Sequence, residues 1–389
     1  MKKKKYIKRA VKILSLVLAV VLCAGILQEY LLCRGGHDRG CVRGFYLEDE
    51  DSLDVVFIGA SDVYAGFSSC YAYEKFGFTS YPIASAANIA PNFKAQLKEA
   101  IRQQHPKLIV IEVNGMLYGE DADYEKEERI RKYVDNMPFN SNKVELIESY
   151  DFENPWEYYL PIIKYHTIWK DFPQGLSWDL SIIQARMRGY SYLKGATTNA
   201  QIYKTKKKIY NDTLKKDEIR EDLNENAEKI LRDLLEYCRS ENIDNVVFAR
   251  FPHVVIEHSL PTFHRSNRAG DIIAEYGYDY INCDKNFEDT GIDVTTDFYN
   301  WEHLNIYGQL KFTEYFGRIL QEKYGISESE LSDSQKQQWD TCAKYYDAFC
   351  KYTFSLLDKK QSKKGKDPKK GGMPVGESYS NLKRIEKFL

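Results

Sequence analysis

Residues 54–62 read DVVFIGASD, and this segment is the best starting point for inferring the fold. Four consecutive apolar residues, 55–58, lead directly into a glycine and then, one residue later, a serine. A short apolar run that ends in glycine is typical of a buried parallel strand entering a loop. Ligand sites in α/β proteins lie at the carboxyl ends of such strands, so the hydroxyl of Ser61 is a candidate functional group.

Other segments repeat this strand-like pattern. They are residues 80–84, 108–113, 245–249 and 279–281. Segments with helical spacing separate them, most clearly residues 223–238, where apolar side chains recur every three or four positions. Strands that alternate with helices predict an α/β protein, here a three-layer α/β/α sandwich around a mostly parallel sheet.

The N-terminus has the pattern of a membrane-targeting segment. Residues 1–12 carry seven Lys or Arg and no acid, and an apolar run, ILSLVLAVVLCAGIL, fills residues 13–27. With Ala10 and Val11 the apolar stretch is about 17–18 residues, the low end for a helix that spans a bilayer, and a basic flank favours a cytoplasmic N-terminus. We therefore predict a single-pass signal-anchor with an extracytoplasmic main domain. A cleaved signal peptide and a buried core helix remain the alternatives.

The formal net charge of −2 averages three different regions. Residues 1–12 carry +7, residues 358–389 carry +6, and the chain between them carries −15. So acidic a body excludes nucleic acid as an expected partner, because phosphate binding needs a basic surface. The basic tail either contacts anionic polymer or lipid, or is simply solvated.

The sequence predicts six divisions of the chain. They are a cytoplasmic flank (1–12), an anchor (13–32), a stalk (33–52), an α/β domain (53–325), a C-terminal helix (326–357) and a flexible tail (358–389).

A second segment with chemical potential is DFYNWEHLN at residues 297–305. It is a polar loop before a predicted helix, and it holds one histidine, His303, with acids and amides just upstream. A serine nucleophile needs a base, and that base needs a partner that orients it. Ser61, early in the chain, and His303, late in the chain, fit these two roles. Either Asp297 or Asn300 would orient the imidazole.

Together these two segments resemble the SGNH (GDSL-type) hydrolase superfamily. Residues 59–61 match its G-x-S block, and His303 matches the histidine of its D-x-x-H block, although Asn300 stands where that block has Asp. The resemblance implies that Ser61 is the nucleophile and His303 the base. It also implies oxyanion donors after the second and third strands, for which Ser85 and Asn114 are the candidates.

The N-terminal anchor, the G-x-S start and the ending His303-Leu304-Asn305 with Gly308 and the Lys-x-Thr pattern at 311–313 resemble membrane-anchored envelope proteins of this superfamily. These are the alginate O-acetyltransferase-type proteins and the D-alanine-transfer accessory proteins. The resemblance implies a serine-dependent O-acyltransferase or esterase that acts on a cell-envelope polysaccharide, with a multispanning membrane acyltransferase as a candidate partner. The alternative is a catalytically inactive subunit of the same fold that binds a glycan or a partner, an alternative motivated by Asn300.

Several residues are candidates for substrate contacts. Asp62 follows the nucleophile, where it could instead cap a helix. Arg250, just after the fourth strand, could bind an anionic group, and Trp301 could shape an acyl pocket. Residues 115–215 break the strand–helix rhythm and are rich in Tyr and Trp, so we predict an aromatic insertion over the strand ends. Its aromatic side chains, Trp169 among them, would either stack on sugar rings or pack on the sheet. No Cys/His spacing indicates zinc, and we expect no metal and no cofactor.

Overall fold

The structure is a computed structural model that describes residues 2–31, 36–165, 172–362 and 374–389. It is an α/β protein with 59% helix. The strands are β1 Val55–Gly59, β2 Ser80–Ala84, β3 Leu108–Glu112, β4 Thr198–Asn199, β5 Val246–Arg250, β6 Asp279–Asn282 and β7 Pro374–Val375. The helices are α1 Lys2–Leu31, α2 Gly36–Phe45, α3 Ser61–Gly66, α4 Ser69–Phe76, α5 Phe93–Gln104, α6 Asp121–Tyr124, α7 Glu127–Val134, α8 Ser141–Ser149, α9 Trp156–Tyr159, α10 Ile162–Tyr165, α11 Phe172–Arg188, α12 Glu225–Ser240, α13 Leu260–Glu275, α14 Ile306–Tyr324, α15 Asp333–Ser362 and α16 Tyr379–Ile385.

The main sheet has five parallel strands in the order β2-β1-β3-β5-β6. Each strand coincides with a segment that has the strand-like pattern, and its ends differ from that segment by at most one residue. All residues of β1, β2, β3 and β5 are buried, as expected of parallel strands that are covered on both faces. The chain reverses its direction of travel across the sheet between β1 and β3, which is the usual place for a ligand site.

Helices cover both faces of this sheet. Alternate residues of the strands enter two separate hydrophobic clusters, because side chains point to opposite faces along a strand. One cluster takes Ile109 and Ile111 together with apolar residues of α5, α12 and α13. The other takes Leu108 and Val110 together with residues of α3 and α14.

The N-terminal helix stands apart from the core. One segment of α1, Lys4–Ile26, is long and apolar enough to cross a membrane, with a mean hydropathy of 2.2 and no residue buried. A membrane anchor and a signal sequence share these features.

The segment expected to be a stalk is folded instead. Residues 36–45 form α2, and its residues Cys41, Val42 and Phe45 are buried against the core. In addition, the Asp38 carboxylate accepts the N–H of Ala86 at 2.6 Å. The sequence pattern does not indicate this helix, because the segment is rich in glycine and charged residues and has only three apolar residues on its buried face.

The end of the expected flexible tail is also folded. Strand β7 pairs with β4, and α16 buries Leu382 and Ile385. Between them, the Glu377 carboxylate accepts the backbone N–H groups of Tyr192 and Leu193. These contacts fix residues 374–389 against the domain. The low-complexity run at residues 359–372 begins within α15, and residues 363–373 lie outside the described residues.

Candidate active site

The candidate site lies at the carboxyl ends of β1 and β3. Ser61 is the first residue of α3 and follows β1 after a single alanine. A side chain on Gly59 would place its Cβ 2.5 Å from Val63 and 2.9 Å from the Glu112 side chain, so only glycine permits this close turn. Asn114 follows β3 and faces the same edge. The strands therefore deliver these two side chains to one place.

The Ser61 hydroxyl and the His303 imidazole are in direct contact. His303 Nε2 lies 2.6 Å from Ser61 Oγ, as the sequence predicted. The Tyr299 ring stacks on the imidazole with an interplanar angle of 3° and a centroid distance of 5.2 Å. This packing keeps the imidazole plane directed at the hydroxyl.

Asn300 orients the histidine. Its side-chain Oδ1 lies 3.0 Å from His303 Nδ1 and also accepts the backbone N–H groups of Glu302 and His303. Because those backbone groups can only donate, the atom facing the ring must be the amide oxygen, so Nδ1 carries the hydrogen. His303 Nε2 then presents its lone pair to the Ser61 hydroxyl. Burial lowers the pKa of His303, which favours the neutral form.

Asp297, the alternative orienting residue, does not contact the imidazole. Its carboxylate pairs with Lys311 Nζ at 2.7 Å and accepts from the Asp293 N–H and the Thr296 hydroxyl. These contacts fix the start of the loop. The sequence placed both candidates just upstream of His303, and the ion pair with Lys311 on α14 turns Asp297 away.

Helix α14 holds the other end of the histidine loop. Asn305 caps this helix by accepting the N–H groups of Tyr307 and Gly308, and its amide nitrogen donates back to the loop. Gly308 is packed so closely that a Cβ there would lie 2.3 Å from the carbonyl oxygen of Asp297. The position of His303 thus depends on a glycine in the next helix.

A buried charged cluster lies beside the Ser61–His303 pair. It consists of Asp62, Glu112, Arg250, His253 and Asp284, each of which is at most 4% exposed. Arg250 donates to Asp284 at 3.0 Å, and the His253 ring lies between Asp284 and Asp62, at 3.4 and 3.5 Å.

Asn114 links this cluster to the site. Its Nδ2 donates to Asp62 at 2.8 Å, and its Oδ1 accepts from Arg250 at 2.5 Å. One hydrogen of Nδ2 is therefore used by Asp62. Within the described ranges no further acceptor contacts that nitrogen. The pull of Arg250 on Oδ1 polarises the amide and strengthens the remaining N–H as a donor.

The acidic side chains of this cluster have pKa values shifted in opposite directions. Burial raises the pKa of Glu112 to about 8, and the Asp62 charge adds to this. Burial also opposes ionisation of Asp62, but His253, His303 and Arg250 together hold the pKa of Asp62 well below its usual range. Burial and Arg250 oppose protonation of His253, yet Asp284 and Asp62 raise its pKa to about 9. At neutral pH the cluster holds two cations, two anions and a neutral Glu112.

Two expected substrate contacts do not fit this geometry. Arg250 is 1% exposed and is engaged by Asp284 and Asn114, so its guanidinium is not available to an anionic substrate. Asp62 is equally enclosed, and it does not cap α3, because the N-cap residue is Ala60. Both side chains therefore make buried contacts within the protein and are not exposed to a substrate.

The other expected contacts have mixed outcomes. Ser85 lies in the turn after β2, where its hydroxyl is buried and has no hydrogen-bond partner among the described residues. The Trp301 ring is half-buried against His258. Trp169 lies outside the described residues. In the aromatic region Tyr158 is buried and stacks on Phe152, so it packs the protein, whereas Trp156 is 65% exposed.

Sequence reasoning missed four participants of the site. These are Tyr299, Glu112, His253 and Asp284. Tyr299 lies within the segment 297–305, and its spacing from His303 could have suggested ring contact. The other three are brought together by separate strand ends, and no local pattern marks them. In the described ranges no group of three or more His, Cys, Asp or Glu residues is arranged to hold a metal ion.

Comparison of the chain with protein-family models, with curated proteins and with solved structures finds no match in any of the three. The geometry of the site therefore carries the functional proposal.

Proposed function

We propose that this protein is a serine-dependent O-acyltransferase or esterase of the SGNH type. The observation that carries the proposal is the chain of contacts Ser61–His303–Asn300 at the carboxyl edge of a parallel sheet. A hydroxyl whose proton points at a neutral, oriented imidazole is the arrangement that generates a serine nucleophile.

In the proposed reaction, Ser61 Oγ attacks the acyl carbonyl while its proton passes to His303 Nε2. The tetrahedral intermediate collapses, the bond to the leaving group breaks, and the imidazolium returns the proton to that group. The acyl-enzyme on Ser61 is then attacked by a hydroxyl, which gives up its proton to Nε2. This second tetrahedral intermediate collapses, the bond between the acyl carbon and Ser61 Oγ breaks, and the imidazolium returns the proton to Oγ. A sugar hydroxyl completes acyl transfer, and water completes hydrolysis.

The oxyanion of the intermediate would be stabilised by the Ser61 N–H, the remaining Nδ2 hydrogen of Asn114, and Ser85. Asn114 is the best supported of these, because Arg250 and Asp62 hold its amide in a fixed orientation. Preorganised donors of this kind are often the largest single contribution to catalysis.

A cell-envelope polysaccharide is the proposed acceptor, and an acyl group passed outward by a multispanning membrane acyltransferase is the proposed donor. The apolar segment Lys4–Ile26 behind a basic flank supports an anchored protein with a cytoplasmic N-terminus and an extracytoplasmic domain. Helices on both faces of the sheet support a three-layer α/β/α sandwich. The aromatic insertion, with Trp156 exposed, supports contact with sugar rings.

The proposal is tested by labelling with a fluorophosphonate, which reacts covalently with activated serines. The full-length chain, purified in detergent, should be labelled at Ser61, as located by peptide mass spectrometry. Ser61→Ala and His303→Gln should abolish labelling, and the matched control Ser240→Ala, at an exposed helix end, should leave it unchanged. Absence of labelling in the folded natural protein would rule out the enzymatic function.

A second function, that of a non-catalytic glycan- or partner-binding subunit, is favoured by one observation. Asn300 contacts Nδ1 where an acid would give charge support to the imidazolium. This alternative predicts a folded protein that retains the Ser61–His303 contact but shows no labelling. In cells, this alternative predicts that a Ser61→Ala strain keeps the same O-acylation of its surface polymer.

A further inference from the structure

On its Nδ1 side the imidazole of His303 contacts the amide of Asn300, and a carboxylate lies on its other side. Asp62 Oδ1 lies 3.9 Å from His303 Nε2, the same nitrogen that contacts Ser61. This oxygen is buried and makes no hydrogen bond of standard geometry among the described residues, and the nearest cation to it is the His253 ring, whose Nε2 lies 3.5 Å away. A buried carboxylate oxygen with no close hydrogen bond also interacts with a second positive charge that forms nearby.

The position of this carboxylate is determined by the residues behind it. The second oxygen, Oδ2, accepts from Asn114, which is itself held by Arg250, and Arg250 is anchored to Asp284. The Asp62 carboxylate therefore cannot rotate away without breaking a chain of buried hydrogen bonds. Its distance from the imidazole is a property of the fold.

We propose that Asp62 is a positioning residue that stabilises the His303 imidazolium from the Nε2 side and so replaces the acid that Asn300 does not supply. The inference rests on the proposed function for its catalytic meaning, since during catalysis the imidazolium forms when Ser61 gives up its proton. The interaction between Asp62 and His303 does not depend on any reaction. Two charges about 4 Å apart in a buried site interact strongly, because little water screens them.

Other charged and titratable groups face Asp62 and set the size of the effect. From the surrounding elements these are Glu112, Arg250, His253, Glu302, Tyr64, Tyr118 and Tyr299. His253 is the strongest competitor, because its ring also lies beside Asp62 Oδ1. Removing the Asp62 charge should therefore lower the pKa of His303, and removing the His253 charge should raise it.

This opposition gives a test that needs no substrate. The full-length protein in detergent, carrying isotope-labelled histidine, is titrated by NMR, with the His303 signal assigned by its loss in His303→Gln. Asp62→Asn, which keeps the side-chain size, should lower the pKa of His303 by about one unit, a tenfold change in proton affinity. His253→Gln should raise it. A merely structural defect would not shift the pKa in opposite directions in two neighbouring variants.

The second readout is the rate of fluorophosphonate labelling of Ser61. Asp62→Asn should slow it on the order of 10- to 100-fold, given the short charge–charge distance. Adding Asn300→Asp to this variant, which places an acid at Nδ1, should recover most of the rate. Such rescue would not occur if Asp62→Asn merely disturbed folding.

The outcomes separate the two proposals. Labelling of the natural protein without a pKa shift in either variant overturns the role of Asp62 and leaves the enzyme assignment intact. Shifted pKa values in a protein whose Ser61 is never labelled overturn the enzyme assignment and leave the Asp62–His303 interaction established.

Discussion

The imidazole Nε2 of His303 lies 2.6 Å from the Oγ of Ser61, although 242 positions separate the two residues in the chain. Different elements position the two residues. Ser61 follows a buried strand after one residue, whereas His303 lies on a loop that is fixed at one end by Asp297 and at the other by Asn305. The contact therefore depends on the whole sheet together with α14.

Replacing Asn300 should have opposite effects depending on the new side chain. Asn300→Ala removes the acceptor of His303 Nδ1 and of two backbone N–H groups, so the rate of Ser61 labelling should fall on the order of 100-fold. Asn300→Asp keeps the acceptor and adds charge, so the rate should rise. Labelling time courses at neutral pH measure both effects.

The matched control for Asn300→Ala is Asn226→Ala, at an exposed position of α12. It should label like the natural protein. Equal rates for Asn300→Ala and the control would show that Asn300 does not orient the base.

The sheet and the reacting pair could be inferred from sequence because their signals are local. An apolar run that ends in glycine marks β1 and the serine that follows it, and a polar loop before a helical pattern marks His303. The choice between Asp297 and Asn300 could not be made, since both lie upstream of His303 and only the contact with Lys311 separates them. The buried cluster could not be inferred either, because its contacts join residues that are far apart in the chain. Asn114 contacts Asp62 across 52 positions and Arg250 across 136.

Gly308 should tolerate no side chain. In Gly308→Ala the new Cβ would lie 2.3 Å from the Asp297 carbonyl oxygen and 2.8 Å from Leu304, so α14 or the histidine loop must move. Overpacking of this kind costs about 1–3 kcal/mol in the free energy of unfolding. Denaturant unfolding should show this loss, and Ser61 labelling should slow because His303 is displaced.

Gly40→Ala is the control for this prediction. Gly40 lies in α2, and a Cβ added there would meet no atom within 4 Å beyond its chain neighbours and the backbone of its own helix, so alanine should be neutral or stabilising by up to about 1 kcal/mol. A Gly308→Ala protein as stable as Gly40→Ala would contradict the packing described for the histidine loop.

Glu112 should make the protein less stable as the pH rises. Its pKa is raised by burial to about 8 in the folded protein, well above the ordinary pKa of 4.5 expected in the unfolded chain. Between these two values the folded state binds a proton that the unfolded state has lost, so stability is fully present below pH 4.5 and declines toward pH 8. The slope from one such group approaches about 1.4 kcal/mol per pH unit.

Glu112→Gln keeps the shape of the protonated acid and cannot ionise. Relative to this variant, the natural protein should lose stability between about pH 5 and pH 8 in denaturant unfolding of the full-length chain. Glu241→Gln, at an exposed position, should follow the natural protein at every pH. Parallel pH profiles for the natural protein and Glu112→Gln would mean that Glu112 is ionised in the folded state.

The Lys194–Glu48 ion pair should be a major tie between residues 36–52 and the domain. Lys194 Nζ lies 2.7 Å from both carboxylate oxygens of Glu48, both side chains are buried, and the ammonium also lies 4.5 Å from the Trp339 ring centre. Lys194→Met leaves the Glu48 charge buried without its cation, with a 3.4 Å hydrogen bond from the Gln338 amide remaining. This should cost about 3–5 kcal/mol in the free energy of unfolding, as measured by denaturant unfolding.

Adding Glu48→Gln to Lys194→Met removes the orphaned charge and should recover much of that loss, since a neutral pair is far less costly to bury. The control is Lys98→Met, which breaks a partly exposed pair with Glu145 and should cost no more than about 1 kcal/mol. If Lys194→Met were as mild as Lys98→Met, water would have to reach Glu48. Residues 36–52 would then be held by the apolar face of α2 and by hydrogen bonds such as those of Asp38 with Ala86 and of Asp49 and Ser52 with Gln104.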